Sequence, residues 1–470
     1  MKLLFASAEI FPYAKTGGLA DVAQALPAAL AKQIEVLSVM PLYDFIDRKK
    51  FALRAMNESF QITVGKDIYD ISLFEGVNRG VRTLFVYEAL LCHCQTPYGN
   101  KNADTISNDL RFGIFSKTLL VLSQMFEIDV LHLNDWHTAL AALWAKEMLP
   151  ELPVVFTIHN LSFQGLFPRE SIERLGLREH YFTPEGIEFW GGMNCMKAGI
   201  AYSDELTTVS PSYAKEILLP EFGCGLEGFL QVHSAKLHGI LNGIDTVFFD
   251  PMIDPALPKN YGPGKYANKK RNKISFCKAE KLRDAERPLV VFIGRFTEQK
   301  GLDLILEVLP ELLRLKLNFA ILGEGSEAIA DALKTLSKEN DNFSIRFGYD
   351  ESLSHRMYAA ADFLLMPSRF EPCGLNQLIS LRYGTIPIVT DVGGLHDTVG
   401  DIDDTDSTMC GQGLVLTELN SHTILRSLKR AVDLFSKTKR FSKISKANMR
   451  CEVSFDKSAK SYLKLYGKTV

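Results

Sequence analysis

Short apolar runs alternate with segments of helical spacing along most of the chain. Leu3-Leu4-Phe5-Ala6-Ser7-Ala8 reads as a buried strand, and Leu19 to Leu30 sets good helix formers at helical intervals. Val36 to Met40, Val81 to Tyr87, Val130 to Asn134, Val154 to Ile158 and Leu206 to Val209 repeat the strand pattern, with helical patterns over Leu110 to Phe126, His137 to Met148 and Pro211 to Leu218. This alternation predicts a mostly parallel sheet with helices on both faces. A stretch rich in proline and glycine, Asp250 to Gly264, interrupts it and reads as a linker. The pattern then restarts. Strands are predicted at Leu289 to Ile293, Phe319 to Leu322, Ser344 to Phe347, Phe363 to Met366 and Ile386 to Val389. Helices are predicted at Leu302 to Leu315, Glu327 to Glu339, Ser352 to Ala361, Leu375 to Tyr383 and Thr423 to Phe435. The expected fold is α/β, with two doubly wound Rossmann-like domains facing a central cleft at the carboxyl ends of their strands. The expected domains are residues 1–245, 246–455 and a last helix within 456–470.

A chain of 470 residues exceeds one ordinary core, which agrees with two domains. Its 53 basic and 56 acidic residues nearly cancel, against a general nucleic-acid binder. No apolar run is long enough to span a bilayer, and Met1-Lys2-Leu3 enters a strand pattern at once with no secretory signal, so a cytoplasmic location is expected. The 8 cysteines show no paired zinc spacing, Cys92-His93-Cys94 lacks a second ligand pair, and reduced thiols are expected. The basic run Asn268 to Lys273 reads as a solvated helix start, Asp403-Asp404-Thr405-Asp406 as a solvated acidic loop, and Ser436 to Lys460 as a basic surface helix pair.

The chemistry concentrates where predicted strands end. Lys15-Thr16-Gly17-Gly18 lies between the first strand and its helix. There the first helical N–H groups lack intrahelical partners, glycine lets an anion approach, and Lys15 adds a positive charge. This turn reads either as a phosphate site or as a plain turn with a solvated lysine. Arg295 and Lys300 follow the strand ending at Ile293 and read as a diphosphate clamp or as a surface pair near Glu298. Glu371 is held extended by Pro372 and precedes a helix start at Gly374 and Leu375. It reads as a carboxylate facing a sugar or as a helix cap. Gly393-Gly394-Leu395 offers a further N–H cradle.

Ile10 through Val22, IFPYAKTGGLADV, resembles the opening of bacterial glycogen synthases and plant starch synthases, and Arg369-Phe370-Glu371-Pro372-Cys373-Gly374-Leu375-Asn376-Gln377 resembles their sugar-nucleotide loop. Leu133-Asn134-Asp135-Trp136-His137, Thr157-Ile158-His159-Asn160, Thr207-Thr208-Val209-Ser210-Pro211, Leu241-Asn242-Gly243-Ile244-Asp245 and Gly294-Arg295-Phe296-Thr297-Glu298-Gln299-Lys300-Gly301 occur in the family's order. The resemblance implies a two-Rossmann, GT-B retaining glucosyltransferase that moves glucose from ADP-glucose to the 4-hydroxyl of an α-1,4-glucan, glycogen or a maltooligosaccharide. It implies catalytic roles for Glu371, His159, Arg295 and Lys300, with His159 against the transferred glucose. It implies substrate contacts from Lys15, Gly17, Gly18, Asp21, Asp135, Asn160, Asn242, Tyr349, Cys373, Gly374, Leu375 and Gly394, Tyr349 stacking on adenine. No cofactor and no metal are expected, the two cations taking the metal's place; no nucleic-acid or membrane partner is expected, and the oligomeric state stays open. Retention without an obvious nucleophile points to front-face displacement with the diphosphate as base. Two rivals are another retaining transferase of this fold using a UDP-sugar, and a catalytically silent glucan-binding protein. The chain departs from the family at Ser107, where an aspartate is usual, and at Ser454-Phe455-Asp456, where a tryptophan usually follows a Phe-Ser pair.

Overall fold

The structure is a computed structural model that describes residues 1–99, 107–325, 327–348 and 350–469. The chain forms two compact units, Met1–Asn242 with Phe455–Val470, and Gly243–Ser454. Gly243 to Asp245 go with the second unit: the Ile244 N–H donates to the Val453 carbonyl at 2.8 Å, and Ile244 packs into that unit's core.

The first unit is built on a 9-stranded sheet. From one edge its strands are Leu237–Gly239, Glu205–Thr208, Val154–Ile158, Val130–Asn134, Lys2–Ala6, Glu35–Pro41, Val81–Tyr87, Asp67–Asn78 and Arg54–Val64. All pair in parallel except the last two, which run antiparallel. The central parallel strands are covered on both faces, so they read as mostly apolar runs, with buried His132 and Thr157 paired to each other. The hairpin Arg54–Val64 and Asp67–Asn78 was not visible that way: it is largely exposed, and its apolar positions are interspersed with polar ones. Chain order reverses between Lys2–Ala6 and Val130–Asn134, which makes the carboxyl ends of these strands the switch point. The helix Asp456–Thr469 belongs to this unit. Tyr466 Oη lies 2.6 Å from buried His132 Nδ1, and Ser458 Oγ donates to the Leu241 carbonyl.

The second unit carries a 7-stranded parallel sheet in the order Phe343–Phe347, Asn318–Gly323, Leu289–Ile293, Phe363–Met366, Ile386–Thr390, Gly411–Leu416, Val399–Asp401. Alternate residues feed two apolar layers. Val291, Leu322 and Leu364 lie in one; Val290, Phe292 and Leu365 lie in the other. The switch point falls between Leu289–Ile293 and Phe363–Met366. The strand Gly411–Leu416 escaped the sequence reading because Gly411, Gln412 and Gly413 dilute its apolar run. Beneath this sheet, His355 Nδ1 sits 2.8 Å from Asp254 Oδ2, which also accepts from Tyr383 Oη at 2.5 Å.

Three expectations need correction here. The basic run does start a helix, Lys269–Ala279, but it is not solvated throughout. Lys269 is buried and donates to the carbonyls of Tyr358, Ala359 and Tyr383 and to Thr385 Oγ1, while buried Lys273 pairs with Asp362 at 2.6 Å. Periodicity was masked because these lysines fill core positions that apolar residues normally take. Nor are all cysteines reduced: Cys410 and Cys451 form a disulfide with Cα atoms 5.5 Å apart. The acidic loop is likewise only partly solvated, since Asp403 pairs with both Arg430 and Arg440 at 2.7 Å.

Candidate active site

In the second unit Arg295 leaves the strand Leu289–Ile293 and Glu371 follows the adjacent strand Phe363–Met366, so parallel pairing brings both to one edge of the sheet. Glu371 is only 5 % exposed. Its Oε2 accepts from Lys300 Nζ at 2.5 Å and from Ser368 Oγ at 3.0 Å. Two donors on one oxygen hold the carboxylate in a single orientation, and Lys300 balances its charge. Arg295 is exposed, with Nη2 3.5 Å from Gln299 Oε1. Gln299 in turn reaches the Phe370 carbonyl at 3.4 Å, and its own carbonyl accepts from the Arg369 N–H at 2.9 Å. The Arg295-to-Gly301 loop is thereby tied to the Glu371 loop.

Glycine is required at two points of this edge. Gly374 has φ +69°, and a Cβ there would lie 2.5 Å from Gln377 Oε1. A Cβ on Gly394 would lie 2.1 Å from the Cys373 carbonyl oxygen, and the Gly394 N–H donates to the Glu371 carbonyl. Cys373 is buried between these loops. Leu375 caps the helix Asn376–Arg382, and Asn376 Nδ2 donates to the Ile293 carbonyl at 2.8 Å. Gln377 is fully buried and donates to the carbonyls of Cys373 and Gly374. Tyr349 lies outside the described residues.

In the first unit the candidate residues gather at the other switch point. Lys15 Nζ pairs with Asp21 Oδ1 at 2.9 Å, joining two predicted contacts. Gly17 precedes the helix Gly18–Leu30 in an extended conformation open to any residue, and a Cβ on it would meet nothing within 4 Å. The glycine there leaves open space rather than relieving strain. Glu9 was missed by the sequence reading. It is 1 % exposed and accepts from Thr16 Oγ1 at 2.5 Å, from the N–H groups of Thr16 and Gly17, and from Tyr98 Oη. An internal carboxylate therefore already sits on two N–H groups of the glycine turn. Burial raises its pKa more than these donors lower it. The available signal was a lone carboxylate closing an apolar strand after Ser7-Ala8.

Asp135 follows the strand Val130–Asn134 with φ +55° and caps the helix Trp136–Met148. It is 7 % exposed, and burial pushes its pKa up to about 7 although the N–H groups of His159 and Asn160 donate to it. His159 closes the strand Val154–Ile158, and desolvation pushes its pKa down to about 3, so the ring is neutral. Asn134 Nδ2 donates to the Ala6 carbonyl, which turns Asn134 Oδ1 toward His159 Nε2 at 2.8 Å. That assigns the ring proton to Nε2 and leaves Nδ1 as the acceptor. The Asn160 side chain accepts from the Ser162 N–H at 3.1 Å. Asn242 ends this unit with Oδ1 buried and no hydrogen-bond partner, as is His137 Nδ1. The contact in doubt at Ser107 is met locally: Arg174 Nη1 donates to Ser107 Oγ at 2.7 Å and to Asp109 Oδ2 at 2.8 Å. Among the described residues no group of three or more His, Cys, Asp or Glu side chains is arranged to hold a metal ion, and no helix is long and apolar enough to cross a membrane.

Two doubly wound sheets, each with charged side chains at its switch point, make a two-domain α/β protein with a candidate site for an anionic or polar ligand on each unit. Residues 2–232 match the starch synthase catalytic domain and residues 274–447 match glycosyl transferases group 1. The chain is 42 % identical to a glycogen synthase of Aquifex aeolicus, covering 99 % of this chain and 98 % of that one. It is 39 % identical to a glycogen synthase of Anaeromyxobacter dehalogenans, covering 99 % of each. It is also similar to the catalytic domain of starch synthase IV from Arabidopsis thaliana, solved bound to ADP and acarbose, with TM-score 0.91, 31 % identity and coverage of 100 % of this chain and 99 % of that one. The chain belongs to the glycogen and starch synthase family and is a glycosyltransferase.

Proposed function

We propose that the second unit binds the ADP-glucose donor at Arg295, Lys300 and Glu371 and that the first unit engages the sugar and the glucan acceptor through His159, Asp135 and the Lys15-to-Asp21 turn. The reaction lengthens an α-1,4-glucan by one glucose with retention of configuration and releases ADP. Breaking the bond from the anomeric carbon to the diphosphate leaves negative charge on phosphate and positive character on the sugar. Arg295 and Lys300 carry charge of the sign that offsets the first. The Glu371 carboxylate, oriented by Lys300 and Ser368, carries charge of the sign that offsets the second. Neutral His159, with Nδ1 accepting, suits a sugar hydroxyl that donates. Front-face displacement then moves the acceptor's 4-hydroxyl proton to the departing diphosphate, so this reading needs no side-chain nucleophile and no divalent metal.

The observation that carries the proposal is the buried Glu371 carboxylate paired with Lys300 at the second sheet's switch point. ADP release should require ADP-glucose and a glucan together and should fall steeply with UDP-glucose. Equal rates from the two donors would remove ADP-glucose as the substrate, and no release with either would leave only a glucan-binding protein.

A further inference from the structure

Trp190 is 88 % exposed, the largest exposure among the described large hydrophobic side chains. It is also held in an unfavourable backbone conformation, φ +52°, which bulky side chains rarely adopt. The turn is fixed rather than loose. Glu188 Oε1 accepts from the Gly191 N–H at 2.7 Å, and the flanking strands Glu188–Phe189 and Gly192–Asn194 pair antiparallel. The same small sheet includes Leu166–Phe167, where Leu166 is 58 % exposed, and Phe163 just before it is 51 % exposed. An indole placed this way adds little to stability, because an 88 % exposed ring buries little area.

The loop that carries Phe163 continues directly from the proposed acceptor residues. His159 and Asn160 lead directly into Ser162 and Phe163, and the Asn160 side chain accepts from the Ser162 N–H. Ser162 Oγ lies 3.8 Å from Cys224 Sγ, the Gln164 amide donates to the Cys224 carbonyl at 3.0 Å, and the Phe189 ring reaches the neighbouring Gly225. The rings of Phe189 and Trp190 are 6.1 Å apart. Chain continuity, the Ser162–Cys224 contact and the placement of the Phe189 ring beside Gly225 thus link the end of the strand Val154–Ile158 to the turn that carries the indole.

We propose that Trp190, with Phe163, is a stacking platform for the α-glucan chain beyond its reacting end. This rests on the glucan acceptor of the preceding section. A pyranose ring offers one face of C–H groups and a rim of hydroxyls. A flat, solvent-facing aromatic ring matches that face, and the hydroxyls stay in water. Phe163, Leu166 and Trp190 are uncharged and apolar, which fits the C–H face of a neutral polysaccharide.

The test compares wild type, Trp190→Ala and Trp190→Phe with ADP-glucose and either glycogen or maltotriose. ADP release by the wild type with maltotriose checks the activity itself, independently of the platform. Trp190→Ala should raise KM for glycogen by about tenfold, as truncating an exposed aromatic anchor does, and retard less in a glycogen-containing native gel. It should leave kcat, KM for ADP-glucose and the maltotriose rate within about twofold, and Trp190→Phe should restore much of the glycogen affinity. Unchanged glycogen affinity in a folded Trp190→Ala protein overturns the platform. So does a loss of self-association by sedimentation with glycogen binding intact, which would assign the patch to a second copy of the chain.

Discussion

Lys300 Nζ lies 2.5 Å from Glu371 Oε2 at the switch point of the second sheet, so the strongest candidate cation and the strongest candidate carboxylate are one ion pair. Neither acts alone in the free protein. Lys300 neutralises a carboxylate that is 5 % exposed, and Glu371 fixes where the ammonium points. In Glu371→Gln the amide keeps the shape and loses the charge. The expected outcome is a fall in kcat of about 100-fold or more with little change in ADP affinity, the signature of an interaction made mainly in the transition state. A purely structural pair would instead lower the melting temperature and spare turnover. Kinetics, ADP binding and a melting curve on this one variant separate the two.

The diphosphate clamp predicts a different profile. Arg295→Ala removes an exposed charge, so the loss of stability should be small while kcat/KM falls by about 100-fold. Lys300→Ala should match that loss and also destabilise the fold, because it leaves buried Glu371 without its cation. The double variant Lys300→Ala/Glu371→Gln should be little slower than the worse single variant, since residues acting as a unit are not additive. Excess EDTA should leave the wild type active. Strict dependence on an added divalent ion would transfer the leaving-group role from these side chains to a metal.

The disulfide predicts a thiol count and a stability change. Denatured without reductant, the chain should expose six titratable thiols of its 8 cysteines. The bridge closes a loop of sequence separation 41, for which chain-entropy reasoning gives up to about 4 kcal/mol of stabilisation to the second unit. Reductant or Cys410→Ser should lower the denaturant midpoint of that unit accordingly. Eight reactive thiols in the unreduced protein would show the bridge absent in solution.

The parallel strands were legible because burial on both faces leaves a mostly apolar run, and the turn at Gly374 was legible because glycine marks a backbone path at φ +69°. What stayed hidden was chemistry that composition disguises. Lys269 and Lys273 look solvated by sequence, yet they sit in the core and bond to carbonyls and to Asp362. Glu9 looks like an ordinary strand-end carboxylate, yet it takes the N–H groups that the Lys15-Thr16-Gly17-Gly18 turn was expected to offer a ligand. Local pattern identifies which groups are present. Which partner each group finds depends on strands far apart in the chain, such as those that bring Lys300 to Glu371.

His355 supplies a pH test of the second unit's core. Burial alone disfavours its imidazolium, but the hydrogen bonds and charges of Asp254 and Glu351 outweigh that, and its pKa is raised to about 9 from 6.5. A group whose folded pKa is raised binds its proton more tightly in the native state. Its stabilisation is therefore complete below about pH 6.5 and is lost as pH rises through about 9. The gap corresponds to at most about 3–4 kcal/mol, at about 1.4 kcal/mol per unit. Urea unfolding of the second unit between pH 6 and pH 10 should show that decline in the wild type. In His355→Gln the protein should be less stable at pH 6 and the slope should flatten, while Asp254→Asn should reduce the slope without abolishing it, because Glu351 still faces the ring, and should replace a charged acceptor of the Tyr383 hydroxyl with a neutral one. Parallel curves for wild type and His355→Gln across this range would show that His355 is neutral in the native core.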